Sequence, residues 1–219
     1  MIDFARARRT MVDTQIRVND VTDVRIVDAL ASVPREAYVP ATRRDLAYID
    51  DDVLVSEGTA APRYILEPMA LAKMIQAAAI EPGETVLDVG TATGYSAAVL
   101  AQIAPQVVAV EEDAVLAGLA RVNLAGLANV DLVEGPLTAG AAAKGPFNVI
   151  LLQGAVDVVP AALTAQLSEG GRLVAVVGRG RSAKCLVHTR LGGEVSVRQV
   201  FDAAIPALPG FAAVQSFTF

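Results

Sequence analysis

The stretch VLDVGTATGYSAAVLA, Val86 to Ala101, decides the fold. It begins as a buried strand, apolar apart from Asp88. A turn punctuated by Gly90 and Gly94 follows, and an amphipathic helix starts at Tyr95. Strand, glycine turn and helix N-terminus in that order build a cradle for a nucleotide-like ligand. The glycines let a ligand approach the backbone, and the free N–H groups of the helix point into the same space. A dinucleotide fingerprint requires G-x-G-x-x-G. Here Ala92 and Tyr95 stand at the second and near-third glycine slots.

Outward from this stretch the chain has two textures. Residues 1–70 are richer in charge and read as an N-terminal helical extension with a loop on the acceptor side. Apolar positions Val24, Ile26, Val27, Leu30 and Val33 have helical spacing that ends at Pro34. Residues Tyr48 to Pro68, with Asp50-Asp51-Asp52, Gly58 and Pro62, read as an extended loop. Residues 71–219 alternate helices with β-rich runs. Strands are predicted near Thr85–Val89, Val107–Glu111, Val130–Glu134, Asn148–Gln153 and Arg172–Val177. Helices are predicted near Leu71–Ala79, Tyr95–Ile103, Ala114–Ala125 and Pro160–Leu167. Such alternation means βαβ units and a mostly parallel sheet. Cys185–Leu191 and Val195–Phe201 flank Gly192-Gly193 and read as an antiparallel hairpin. The predicted architecture is α/β: a Rossmann-like, mostly parallel sheet of the class I methyltransferase type, closed by a C-terminal hairpin.

The bulk numbers exclude several classes. The chain has 219 residues, 53% of them hydrophobic, enough for a full core. A net charge of −6 and a pI near 4.8 argue against a nucleic-acid partner. The mean hydropathy of +0.47 is high, but Lys73, Pro105, Gln153 and Asp157 interrupt every apolar run before ~18 residues, so no membrane span is expected. The start, MIDFARARRTMVD, lacks the apolar centre of a secretory signal. Cys185 is the single cysteine, which fits a reducing cytoplasm, and His188 is the single histidine, so no His/Cys metal site is expected.

Open α/β sheets bind ligands at the carboxyl ends of their strands. The run Asp88-x-Gly90-x-x-x-Gly94 is the acid-x-Gly-x-x-x-Gly pattern of enzymes that bind S-adenosylmethionine (SAM). Glu111 closes the second strand, 21 residues beyond Gly90, where an acid accepts hydrogen bonds from both ribose hydroxyls. The expected cofactor set is Asp88, Gly90, Thr91, Ala92, Thr93, Gly94, Tyr95, Glu111 and Leu137. Asp88 would reach the loop backbone or the cofactor's amino-acid part. Leu137 is included because Glu134-Gly135-Pro136 offers no Asp or Asn for the adenine amine and Pro136 has no N–H. Glu112 should point to the opposite face. The plainer reading is that the glycines only permit tight strand–helix packing and that Glu111 is a solvated strand end.

Further segments resemble one family, the protein-L-isoaspartate O-methyltransferases. ALASVPREAYVP (Ala29–Pro40) is similar to its Val-Pro-Arg-Glu segment, and AYIDDDVLV (Ala47–Val55) to the strand and loop leading to its acceptor site. The Val86–Ala101 motif, FNVILLQGAV and QLSEGGRLVAVVG (Gln166–Gly178) are similar to its cofactor turn and to its fourth and fifth strands. The resemblance covers nearly the whole chain. It implies SAM as cofactor and a protein or peptide carrying L-isoaspartyl residues as partner, the methyl group going to a carboxylate in damaged proteins.

One segment departs from that pattern. The family carries Gln-Thr-Ile-Ser-Gln-Pro, its serine implicated at the acceptor carboxylate; aligned on Pro68, this chain reads Tyr64-Ile65-Leu66-Glu67-Pro68. Leu66 stands at the serine position and can neither donate nor accept a hydrogen bond. Glu67 places negative charge beside an anionic acceptor unless Arg63 or another cation offsets it. Ser56 could fill the role by another loop path. The candidate acceptor residues are therefore Leu66, Tyr64 and Glu67, the last two suited to a polar or cationic acceptor. A carboxylate, already ionised at neutral pH, needs no general base, and His188 reads as a strand-face residue. Arg6, Arg8 and Arg9 read as a solvated terminus or an acceptor arm, and Asp50-Asp51-Asp52 as a solvated turn or an ion site. Two alternatives stay open: a SAM-dependent methyltransferase with another acceptor, such as a small molecule, and a catalytically silent SAM-binding scaffold.

Overall fold

The computed structural model describes residues 2–57, 59 and 61–213. Its centre is a seven-stranded sheet in the order β5-β4-β3-β6-β7-β8-β9, made of β3 (Thr85–Val89), β4 (Gln106–Glu111), β5 (Val130–Glu134), β6 (Phe147–Val156), β7 (Leu167–Val177), β8 (Lys184–Leu191) and β9 (Glu194–Asp202). The first five are parallel, and β8 and β9 add antiparallel. This is the mostly parallel sheet with a terminal hairpin that the alternation predicts. β1 (Val53–Leu54) and β2 (Tyr64–Ile65) form a separate two-stranded ladder inside the segment expected to be loop.

Apolar runs without alternating polarity become strands here because both faces of the sheet are covered. Val86, Val107, Val149 and Val174 pack on one face; Leu87, Val108, Ile150 and Leu173 pack on the other. The first face receives α3 (Pro68–Ala78), α4 (Tyr95–Leu100) and α5 (Ala114–Leu124). The second is closed by Leu137, by Leu163 of α6 (Ala161–Thr164) and by Leu208 and Phe211 of the C-terminal segment. Among the described residues no helix is long and apolar enough to cross a membrane.

Element ends differ from expectation where tertiary contacts decide them. The helix expected to run to Leu167 stops at Thr164, and Leu167 opens β7 by pairing with Phe147. The amino end is more ordered than its composition suggests. Asp3 caps α1 (Phe4–Met11), and Arg8 bonds the Ser32 carbonyl at the end of α2 (Val24–Ser32). Met11, Val12 and Ile16 enter the same buried cluster as Ala70, Leu71 and Met74, so residues before 70 share the main core. Gln76 on α3 ties the two parts, accepting from the Thr22 and Asp23 amides and donating to the Asp20 carbonyl.

Helix α3 ends at Ala79 in a left-handed conformation, φ +46°, a position usually given to glycine. Its last carbonyls are satisfied from the sheet: the Arg172 guanidinium donates to the Ala78 and Ala79 carbonyls and pairs with Glu84. Arg172→Ala therefore orphans several polar groups at once and should lower stability by about 2 kcal/mol. In thermal unfolding this would read as a Tm lower by roughly 4–8 °C for a chain of this size.

Candidate functional site

The glycine turn lies between the carboxyl end of β3 and the amino end of α4. The Gly90 and Thr91 amides both bond the Val110 carbonyl of β4, and the Gly94 amide bonds the Thr91 carbonyl. This winding requires left-handed backbone at three positions: Gly90 (φ +84°), Ala92 (φ +52°) and Gly94 (φ +96°). Ala92 thus takes the conformation that a glycine would adopt without strain, at about 1–2 kcal/mol. The Thr93 hydroxyl bonds the Tyr38 carbonyl and its own carbonyl accepts from Asn123, so both threonines of the turn, Thr91 and Thr93, are buried.

Glu111 is at the heart of the site. Its side chain is fully buried, and its carboxylate accepts from the Ala92 amide (2.8 Å) and from the Glu112 and Asp113 amides (3.0 and 3.1 Å). The Arg63 guanidinium completes the shell with two parallel bonds, Nη1 to Oε1 at 2.7 Å and Nη2 to Oε2 at 2.9 Å. A solvated strand end is excluded. The Arg63 side chain is itself only 4% exposed, so this is a buried bidentate ion pair.

Asp88 is also fully buried. Its carboxylate accepts from the Ser96 hydroxyl and the Gln153 amide, both at 2.6 Å, within the fold and not from the loop backbone. Burial pushes its pKa up to about 6, against the opposing pull of these bonds. Tyr95 packs edge-on to Tyr38 and lies under the Arg35 guanidinium, 4.9 Å from its ring centre. Leu137 is buried, and its amide makes only a long 3.4 Å contact to Glu112.

Tyr64, Leu66, Gly90, Thr91, Tyr95 and Gln153 all line one small cavity of about 10 Å³, room for a single water. The serine-equivalent position and the glycine turn are therefore neighbours. Leu66 is buried, and its carbonyl is held by Arg35, which also bonds the Ala47 carbonyl. Arg35 is a fully buried cation compensated by carbonyl dipoles and the Tyr95 face. Ser56 does not line the cavity: its hydroxyl accepts from the Arg63 amide in the turn between β1 and β2.

Glu67, at the cap position of α3, donates its amide to Asp52, which is half-buried rather than part of a solvated turn. Burial pushes the Glu67 carboxyl up to about 7, reinforced by Asp52, Asp50 and Asp51. Asp52 is pushed up to about 6 by burial. Outside the site, His188 lies on β8 opposite Leu173 and Val197, and burial lowers its pKa.

Sequence reasoning did not find the partners that close the site. Leu208 comes from a segment whose backbone pairs with the end of β6, through Ala155 N–H to the Pro206 carbonyl and Leu208 N–H to the Ala155 carbonyl. A Cβ at Gly90 would lie 2.8 Å from Leu208 and 3.0 Å from Arg63. No local pattern signals that contact, which joins residues more than a hundred positions apart. Arg63, named from the sequence as a cation that could offset Glu67, forms its ion pair with Glu111 instead.

Because folding raises the Glu67 pKa from 4.5 to about 7, the folded chain holds that proton more tightly than the unfolded one. The associated stability is fully present below pH 4.5 and is lost as pH rises through 7. Glu67→Gln should therefore melt at a higher temperature than the parent at pH 8, with the gain shrinking toward pH 5. Melting curves across pH 5 to 8 check this.

Known proteins resemble this chain in sequence and in fold. The family profile described as Protein-L-isoaspartate(D-aspartate) O-methyltransferase (PCMT) matches residues 6–206. A protein-L-isoaspartate O-methyltransferase from Koribacter versatilis is 38% identical over 209 residues, covering 94% of this chain and 92% of that protein. One from Methylorubrum populi is 42% identical over 195 residues, covering 89% of each. A solved structure described as a protein-L-isoaspartate O-methyltransferase superposes with a TM-score of 0.82 at 23% identity, over 93% of this chain and 66% of that one. Another, described as a beta-aspartate methyltransferase from Plasmodium falciparum in complex with S-adenosyl-L-homocysteine, superposes with a TM-score of 0.77 at 18% identity, over 92% and 97%. With the two structures supporting the fold and the sequence matches carrying the kinship, the chain belongs to the protein-L-isoaspartate(D-aspartate) O-methyltransferase family.

Proposed function

We propose that this protein transfers the methyl group of SAM to the free carboxylate of L-isoaspartyl residues in damaged proteins, acting in the cytoplasm. The observation that carries the reading is the adjacency of Leu66, at the family's acceptor position, to the Gly90–Thr91 turn around one cavity. The residues present would suit the cofactor: Glu111 is the buried carboxylate that would accept from a ribose diol in place of Arg63, the positive-φ turn from Gly90 to Gly94 would permit close backbone approach, and the Leu137 amide, in only a long contact to Glu112, would be a donor for the adenine. SAM, when bound, would supply a sulfonium-activated methyl group with a neutral thioether as its leaving group.

The chain's own contribution is placement and exclusion of water. Arg35 fixes the Leu66 carbonyl and the Tyr95 ring, and thereby the distance between acceptor segment and turn. Asp88 locks Ser96 to Gln153 beneath the turn. A carboxylate acceptor arrives ionised, so no residue has to remove a proton. One feature favours the second reading, a different acceptor: the Leu66 side chain offers no hydrogen bond, while Tyr64 on the cavity wall carries a hydroxyl and Glu67, outside that wall but next to Leu66 in sequence, carries a titrating carboxyl.

The deciding experiment is transfer of labelled methyl from SAM to an isoaspartyl peptide, with the matching aspartyl peptide as control. Turnover confined to the isoaspartyl peptide is expected; absence of transfer with cofactor bound in the same sample would assign the site to another acceptor. Gly90→Val should reduce turnover at least a hundredfold, since its side chain meets Leu208 and Arg63 in a backbone conformation that valine resists. Turnover of the anionic peptide should also fall as pH rises through about 7, where Glu67 ionises, and Glu67→Gln should flatten that profile.

A further inference from the structure

We infer that Arg63 is an internal ligand of the Glu111 carboxylate, holding it with the two donors that a ribose diol would otherwise supply, and that its displacement sets the affinity for cofactor. The inference rests on the reading of Glu111 as the ribose acid.

The carboxylate of Glu111 is saturated. It has about four lone-pair sites and receives five donors: the amides of Ala92, Glu112 and Asp113 and the two Nη groups of Arg63. The three amides belong to the turn and to the start of the next helix, and cannot leave without unwinding them. Only the Arg63 guanidinium, at the end of a flexible stem, can yield its place.

The guanidinium also fills space. Its Nη2 lies 3.0 Å from where a Cβ on Gly90 would stand, next to Leu208, which covers the same position at 2.8 Å. Two parallel N–H donors on Glu111 reproduce the hydrogen-bonding demand of two neighbouring hydroxyls.

The backbone of Arg63 is anchored independently of that ion pair. Its amide donates to the Ser56 hydroxyl and its carbonyl accepts from Val55, both at 2.8 Å. Exchange therefore requires a side-chain rotation, with the β1–β2 ladder left in place. Occupancy of the site becomes a competition in which the cofactor breaks a buried bidentate pair before it gains its own bonds, and the measured affinity is lowered accordingly.

The test is calorimetric titration of S-adenosyl-L-homocysteine into the parent protein, Arg63→Met and Arg63→Lys. Arg63→Met leaves Glu111 with its three amide donors and without the two guanidinium donors that compete with the cofactor, and should bind at least tenfold more tightly. Arg63→Lys keeps the charge but not the fork, and should fall between; it also serves if the methionine variant does not fold. Equal or weaker binding by the folded variants would overturn the inference while leaving the cofactor reading intact. Binding by neither parent nor variants would overturn the cofactor reading, and the inference with it.

Discussion

A single buried carboxylate organises the functional end of this molecule. Glu111 closes β4, receives the Ala92 amide from the glycine turn, caps the start of the following segment through the Glu112 and Asp113 amides, and pairs with Arg63 from the acceptor side. Three pieces of chain that are distant in sequence, around Arg63, Ala92 and Glu111–Asp113, are thus held at one point. An ionised carboxylate removed from water must be given donors, and removing any of them leaves charge uncompensated in a low-dielectric site. That requirement keeps the turn wound, including the left-handed Ala92.

A second buried charge does the same work on the neighbouring segment. Arg35 has no carboxylate partner among the described residues and is held by carbonyls of Ala47 and Leu66 and by the Tyr95 ring. Burial lowers its pKa. Leu66 is therefore not a loosely placed substitution in a flexible loop. Its backbone is fixed as firmly as the glycine turn, while its side chain has lost the hydrogen-bonding capacity expected there. The fold of the family is retained around this buried leucine.

Much of the fold was legible because two-sided burial writes itself into composition. The run at Thr85–Val89 is apolar apart from Thr85 and Asp88, is bounded by turn residues, and its limits match β3; those of Val130–Glu134, on the sheet edge and not buried, match β5. The strand containing Arg172 extends five residues earlier than predicted: Glu169-Gly170-Gly171 reads as a turn in sequence, but Leu167 pairs with Phe147 and draws these residues into β7. The first helix escaped notice because its charged face, Arg6, Arg8 and Arg9, masks the apolar positions that pack on the core.

The sequence alone determined the strand–turn–helix cradle, the glycines that permit it, the acid at the end of β4 and the departure at Leu66. These are local features: φ preferences, hydrophobic period and spacing along one chain. Only the tertiary structure decided what Glu111 and Asp88 touch, that Ser56 supports Arg63 and does not face the cavity, and that Leu208 lies over Gly90. A buried charge chooses its partners by proximity in space, and proximity is settled by how the sheet brings the ends of β3, β4 and β6 together, not by the order of residues.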